Sequence, residues 1–303
     1  MRISPQTTQI LLNALQTSDQ AEQTALQQMT TGRRVNQASD DPSAAAMEVN
    51  IADQMNSCDQ YKRSISSIYS ELQTADSSLN SAVTALQRAI TLGVEGANGT
   101  LSQDNRQTVA QEIDGISQQM LGIANLSFNG HYVFAGTADS QPPYVSDDSA
   151  PGGVAYQGND DVNSVEIGTG QSVVVNKPGS QLFSATGGNV FQALNDLATA
   201  LQNPDSTTGD IGNATTEVRN AYDQLTSART FYGGTMDQTL NTQDFLNSES
   251  VQLSQQQNST IGVDMNVAAT NLTLAEEARN ATVQAASSLS SLTLMDYISS
   301  SHY

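Results

Sequence analysis

Through Ala44, Met47, Ile51, Gln54, Cys58, Tyr61, Ile65, Ile68, Leu72, Ala75, Leu79, Ala82, Leu86 and Ala89, the chain meets an apolar residue every three or four positions, Gln54 being the exception. No Pro or Gly falls between Ser43 and Thr91, so the repeat predicts one helix of about 70 Å at 1.5 Å per residue. Its seam, centred on Ile65, Ile68, Leu72, Leu79 and Leu86, needs other helices to cover it. Asp40-Asp41-Pro42 marks the start. Asp41 can accept from the exposed amides, Pro42 suits the first helical position, and both carboxylates suit the positive end of the dipole.

Ahead of it, Gln6 to Thr31 carries a weaker helical pattern with Ile10, Leu11, Leu15, Leu26 and Met29 as anchors and a nearly all-polar middle. Gly32 is placed to end that helix, with Arg33 and Arg34 beside its negative dipole end. Beyond the long helix, Gly93 to Gly99 reads as a turn, and Val109, Ile113, Ile116, Met120 and Ile123 restore the three-four spacing for an antiparallel third helix. Between Phe128 and Lys177 the period changes to strand-like runs, Tyr132-Val133-Phe134, Val154-Ala155-Tyr156, Val165-Glu166-Ile167 and Val173-Val174-Val175, separated by Gly, Asn and Asp.

A short helix with Val190, Leu194, Leu197 and Leu201 on one face follows, then a polar linker from Pro204 to Gly212. Helical signals resume at Glu217 and continue, with a loop-like interruption near Ser259 to Gly262, into a last helix lined by Ala268, Ala275, Ala278, Ala285, Leu289 and Leu292. The fold class is therefore mainly α: a long antiparallel coiled-coil-like helical bundle formed by both chain ends, with a small β-rich inserted domain. An alanine seam and a polar-centred helix bury little, so both ends are expected to need partners.

Composition sharpens this picture. Over 303 residues only 37% are hydrophobic and 5% aromatic, with no Trp, which fits thin helical seams better than one thick core. The balance of 31 Asp and Glu against 11 Lys and Arg leaves −20, which repels phosphate backbones and anionic lipid; nucleic acid and membrane are excluded as partners. Cys58 is the one cysteine, so no internal disulfide forms. The chain lacks an apolar run of the roughly 18 residues a membrane span needs. Met1-Arg2-Ile3-Ser4-Pro5-Gln6 has no signal-peptide character, so any exit from the cell is expected by another route.

Candidate chemistry is sparse. His131 and His302 are the two histidines, and neither has Cys, His or carboxylate neighbours at a metal-ligand spacing. His131 reads as an exposed or turn-packed residue, and Cys58, on the apolar seam, as a small buried hydrophobe. Gly168-Thr169-Gly170 precedes a strand-like run and reads as a hairpin turn instead of a dinucleotide fingerprint. The pairs Asp40-Asp41, Asp147-Asp148 and Asp160-Asp161 lack the spaced acidic loop of a calcium site and read as caps and turns. Triplets such as Asn98-Gly99-Thr100 read as chance in an Asn, Ser and Thr-rich chain. No catalytic residue, metal or cofactor is expected.

The stretch Thr31-Gly32-Arg33-Arg34-Val35-Asn36-Gln37-Ala38-Ser39-Asp40-Asp41-Pro42 resembles the N-terminal signature of the flagellin-like superfamily, the bacterial flagellins and their junction proteins. Leu86-Gln87-Arg88 and Gly96-Ala97-Asn98 fall where such chains carry similar motifs. Phe128 to Thr137 and the ending Leu292-Thr293-Leu294-Met295-Asp296-Tyr297-Ile298 resemble the hook-associated junction branch, with Met295 where related endings often carry Leu. The resemblance covers about the first 140 and last 90 residues.

It implies a flagellin-like fold and a subunit exported unfolded through the flagellar type III channel, without a cleaved signal peptide, to the extracellular flagellum. There it would assemble at the distal hook end. Implied partners are like subunits in a ring, hook-associated protein 1 on the hook side, flagellin on the filament side and an export chaperone. Residues 1–42 and 262–303 would form terminal inner-layer helices, disordered in the monomer, held through Leu11, Leu15, Leu26, Met29, Leu289 and Leu292. Gly32, Arg34, Asn36, Asp40, Asp41 and Pro42 would form the connector to a rod of 43–137 and 205–261, and 138–204 a surface insert. Filament flagellin itself is the rival reading, and a coiled-coil signalling or adhesin module a more distant one. An enzyme would need a nucleophile-base or metal constellation, and the insert has none in sequence.

Overall fold

The computed structural model describes residues 5–185 and 187–300, with side chains described for 9–288 other than 186. The order is α1 (Pro5–Thr31), α2 (Pro42–Gly96), α3 (Gln103–Ala124), β1 (Ser127–Phe128), β2 (His131–Tyr132), β3 (Tyr144–Ser146), β4 (Val154–Tyr156), β5 (Ser164–Gly168), β6 (Gln171–Val174), α4 (Gly179–Leu182), α5 (Val190–Gln202), α6 (Thr208–Ile261) and α7 (Met265–Ser300). The chain divides into two units, Met1–Ser57 with Ser248–Tyr303, and Cys58–Asn247. The expectation of a mainly α fold with a small β-rich insert is met.

In the unit Cys58–Asn247, the apolar seam of α2 is the core. Ile65, Leu72, Ala75, Leu79, Ala82, Leu86 and Ala89 are fully buried and Ile68 nearly so. Ile113 and Met120 of α3, Leu194, Leu197 and Leu201 of α5, and Ile211, Val218, Leu225 and Tyr232 of α6 are equally enclosed in this unit, and Val109 of α3 is buried as well. The bidentate pair of Arg88 with Glu112 (2.7 and 3.1 Å) spans the α2–α3 hairpin. Arg229 of α6 grips both carboxylate oxygens of Asp76 on α2 (2.8 and 3.1 Å) and Asn80 Oδ1 (2.8 Å).

Two boundaries differ from expectation. Helix α2 runs through Gly93 to Gly96 where a turn is expected from the glycines. A Cβ at Gly93 would collide with the side chain of Thr215, and one at Gly96 with Leu201. Tertiary packing therefore requires these glycines inside the helix, where they let neighbouring elements approach. Helix α6 begins at Thr208, within the expected polar linker. There Thr207 Oγ1 accepts from the Asp210 amide (3.2 Å) while Asp210 Oδ2 accepts from the Thr207 amide (2.9 Å), a reciprocal cap that starts a helix in polar sequence.

The insert holds three separate antiparallel pairs, β1–β2, β3–β4 and β5–β6. Val133 and Phe134, expected in a strand, lie past the end of β2 and are buried in irregular chain. Phe134 belongs to an aromatic cluster with Tyr144, Tyr156, Phe183 and Phe191, ring centroids 5.1–6.3 Å apart. Asn125, at the end of α3, exchanges two hydrogen bonds with the Tyr144 backbone (2.8 and 2.9 Å), fixing β3. Within the Phe128–Thr137 motif, Asn129 and Gly130 take positive φ as the two-residue hairpin loop, and Gly136 (φ 74°) sits where a Cβ would strike Asn159.

The unit Met1–Ser57 with Ser248–Tyr303 is thinner. Here α1 packs on α7, with Arg279 paired to Asp19 (2.9 Å) and Glu22 (3.4 Å). Along α2 the expected seam narrows: Ala44 and Ile51 are buried, but Met47 is 50% exposed and Gln54 is exposed. One residue in seven is covered here, against two in seven from Ile65 onward. Among the described side chains of α7 the buried positions are Ala268 and Ala275, with Leu272, Thr282 and Ala286 half-buried. Ala278 and Ala285, expected on the seam, are exposed; coverage falls instead at Thr282 and Ala286, about two and three helical turns beyond Ala275.

Candidate assembly connector

Where α1 passes to α2, and α6 to α7, two short connectors meet. Gly32 ends α1 at φ 68°, its amide donating to Gln28 O (2.9 Å), the left-handed turn a glycine makes without a Cβ penalty. Arg34 N then donates to Ile261 O (2.6 Å) and Val263 N to Gly32 O (3.1 Å), so Arg33 and Gly262 form an antiparallel bridge. Beneath it Val35, Ala44 and Ile261 bury a small apolar cluster, with Ala45 beside it.

Arg34 ties the polar groups together. Its Nη2 donates to Thr260 O (3.0 Å), a carbonyl of the last turn of α6, and to Asp41 Oδ2 (3.1 Å). Asp41 Oδ1 meanwhile accepts from Ala44 N (3.1 Å) and Ser43 Oγ (2.9 Å), capping α2 ahead of Pro42. These bonds, the Ala44 amide first, hold the Asp41 carboxyl below the usual carboxylate range. One guanidinium thus serves the negative end of one helix and the capping anion of another.

Arg33 donates to Glu48 Oε1 (3.2 Å), which also accepts from Gln257 Nε2 (2.8 Å); Glu48 Oε2 is buried without a hydrogen-bond partner among the described residues. Asp264 Oδ1 accepts from Asn266 N (2.8 Å) and starts α7. Asp40 Oδ2 takes the amides of Gln37 (2.9 Å) and Asn36 (3.0 Å), which depress its pKa, and Asn36 Nδ2 donates to Arg33 O (3.0 Å).

Two expectations about this segment change. Arg33 and Arg34 do not serve the end of α1; they reach Glu48 on α2 and the end of α6, which the sequence separates from them by over two hundred residues. Asp40 caps the loop turn and leaves the α2 dipole to Asp41. The sequence reading also missed Glu48, Gln257 and Ile261 to Asp264. The loop-like break near Ser259–Gly262 was the available signal, but nothing local pairs it with Gly32–Arg34.

The remaining candidate residues fall into two environments. Ile65, Ile68, Leu72, Leu79 and Leu86 are at most 5% exposed. On α1, Leu11, Leu15 and Met29 are half-buried, whereas Leu26 is 55% exposed. The side chains of Leu289 and Leu292, and His302, lie outside the described residues. Ile10 (68%), Leu12 (56%), Val267 (54%) and Leu274 (57%) are exposed too, so the paired α1 and α7 carry large apolar side chains outward. His131 is exposed beside Asp139 (Nδ1 to Oδ2, 3.0 Å), and Cys58 is buried. Among the described residues no three His, Cys, Asp or Glu side chains are grouped to hold a metal, and no helix is long and apolar enough to cross a membrane.

Comparison with known proteins adds an independent line. Residues 4–139 match the bacterial flagellin N-terminal helical region. The chain is 33% identical over 175 residues to flagellar hook-associated protein 3 of Salmonella typhimurium, a match spanning 57% of this chain and 54% of that relative's length. To flagellar hook-associated protein 3 of Escherichia coli it is 26% identical over 291 residues, 88% of this chain and 90% of the relative. Its fold matches a Vibrio parahaemolyticus structure described as a flagellar hook-associated protein, with TM-score 0.69 and 19% identity over 74% of this chain and 100% of the other.

Proposed function

We propose that this relative of flagellar hook-associated protein 3 is a structural subunit of the bacterial flagellum, assembling at the distal hook end as the junction on which flagellin polymerises. The observation that carries the reading is the exposed apolar surface of α1 and α7. A helix pair that buries chiefly alanines between its members while Ile10, Leu12, Leu26, Val267 and Leu274 face outward is built to be covered by neighbours. The match to the Escherichia coli protein, over 88% of this chain and 90% of that protein, favours the junction over filament flagellin.

On this reading the role is structural and not enzymatic. Residues 1–42 and 262–303 form the inner-layer segments that order fully on assembly, 43–137 with 205–261 the rod, and 138–204 the surface insert. Leu11, Leu15, Leu26, Met29, Leu289 and Leu292 make the contacts between like subunits. Hook-associated protein 1 lies on the hook side, flagellin on the filament side, and a chaperone accompanies export through the flagellar type III channel.

The test is electron microscopy of a strain lacking the gene, with the medium assayed for monomeric flagellin. Bare hooks with flagellin in the medium are the expected result. Hooks without filaments and no flagellin anywhere make this chain the filament subunit instead, and intact filaments overturn both readings. Complementation with a Leu289→Asp, Leu292→Asp double variant is expected to give a folded chain that builds no filament.

A further inference from the structure

We infer that the two connectors form one latch, so that α1 and α7 cannot be set independently of each other. Each connector supplies half of the Arg33–Gly262 bridge: Gly32 O and Arg34 N on one side, Ile261 O and Val263 N on the other. The bridge is isolated and not part of a longer sheet, so no adjoining strand pair holds one connector in place when the other moves. Moving one connector therefore breaks both backbone bonds of the bridge at once, leaving the exposed Gly32–Arg34 groups to water and losing the net stabilisation of the two bonds together.

Arg34 closes the latch across helices. Its single guanidinium nitrogen bonds both Thr260 O and Asp41 Oδ2, so a displacement at the end of α6 is felt at the cap of α2. Glu48 adds a second cross-tie, receiving Arg33 from one connector and Gln257 from α6 on the same oxygen. With its other oxygen buried and without a partner among the described residues, losing these donors would leave a carboxylate poorly satisfied, which holds the tie closed. The Val35, Ala44 and Ile261 cluster takes one member from each of the first connector, α2 and α6, so it too is disrupted from either side.

The coupling is reciprocal: the free energy by which the ordered first connector favours order in the second equals that by which the second favours order in the first. In the assembly proposed above, α1 and α7 would then adopt their final packing together. That consequence rests on the flagellar reading, whereas the latch itself stands on the geometry of a single chain.

Amide hydrogen exchange of the full chain, resolved to single residues, tests it with two variants that act from opposite sides. Arg34→Ala removes the guanidinium from the first connector. Gly262→Ala places a Cβ against the Asn258 carbonyl and distorts the second. Arg34→Ala is expected to speed exchange at Val263, and Gly262→Ala at Arg34, each by about tenfold or more, as the loss of a hydrogen bond to a charged or buried group implies. Amides of α2 and α6 within Cys58–Asn247 serve as the internal control for folding and should keep their wild-type rates. Arg279→Ala, which cuts the α1–α7 ion pairs and leaves the connectors alone, should not change Val263 or Arg34.

A response confined to the mutated connector in both variants overturns the latch, as do wild-type Arg34 and Val263 amides that exchange without protection. Loss of protection across the control helices in one variant removes that variant from the comparison, and the other then decides. None of these readouts uses assembly, so the latch and the flagellar reading fail separately.

Discussion

Replacing Leu79 by Ala separates the residues that hold a free chain together from those that hold an assembly. Leu79 is fully buried in the α2 seam. The substitution removes about three methylene equivalents at ~0.8 kcal/mol each, and the void left by a site enclosed between long helices adds a further contribution, for a total of about 3–4 kcal/mol. Leu26, also a seam leucine by sequence, is 55% exposed on α1. With less than half its surface buried, Leu26→Ala should cost about 1 kcal/mol or less in the free chain.

Urea unfolding followed by far-ultraviolet circular dichroism measures both, provided the slope stays at its wild-type value so that the midpoint reports stability. The expected separation, about 2–3 kcal/mol, is roughly a factor of a hundred in the unfolding constant. The assembly readout should reverse the order: Leu26→Ala should reduce filament formation at a temperature where Leu79→Ala is still folded. Equal losses of stability for the two, or a Leu79→Ala loss below about 1 kcal/mol, would refute the division between seam and assembly surface.

Three further outcomes follow from particular contacts. Burial raises the Glu71 pKa, with His131 opposing and Asp139 reinforcing the shift, so this carboxyl favours folding most below its unfolded value of 4.5 and loses that contribution as pH rises through the higher folded value; Glu71→Gln should stabilise the chain at neutral pH and leave it unchanged in acid, as thermal melts across pH would reveal. The depressed Asp41 pKa has the opposite sign, present at neutral pH and lost as pH falls through the folded value, so Asp41→Ala should weaken protection of the first turn of α2 at neutral pH and match wild type in strong acid. Gly93→Ala should destabilise by about 1–3 kcal/mol through collision with Thr215, while Gly115→Ala, with nothing within 4 Å of the new Cβ, should stabilise by about 0.5–1 kcal/mol; melting curves that move both in one direction would contradict the packing.

The identity and much of the extent of each long helix were legible in sequence because helical periodicity is local: each turn of Ile65 to Ala89 repeats the same information. The Asp41-Pro42 start, the Gly32 stop and the strand-rich character of Phe128 to Lys177 were readable for the same reason, since caps and turns depend on a few adjacent residues. The reciprocal cap at Thr207 and Asp210 is also local, but the polar sequence around it gives no apolar period to mark the helix it starts.

The tertiary structure decided the rest. A glycine in sequence signals a break, yet Gly93 and Gly96 lie within α2, where the elements packed against them leave no space for a Cβ and so call for glycine. The three-four repeat of α2 does not say how many neighbours cover it, and so could not show that Met47 would be exposed while Leu79 is enclosed. Nor does any local pattern join Arg34 to Thr260, whose pairing exists only after both chain ends have folded back upon each other. Sequence by itself determined which segments are helices and which stretches are short of self-sufficient burial; only the folded chain determined which faces meet, because contact between residues distant in sequence is set by the sum of packing and hydrogen bonding over the whole unit, not by the propensity of either partner.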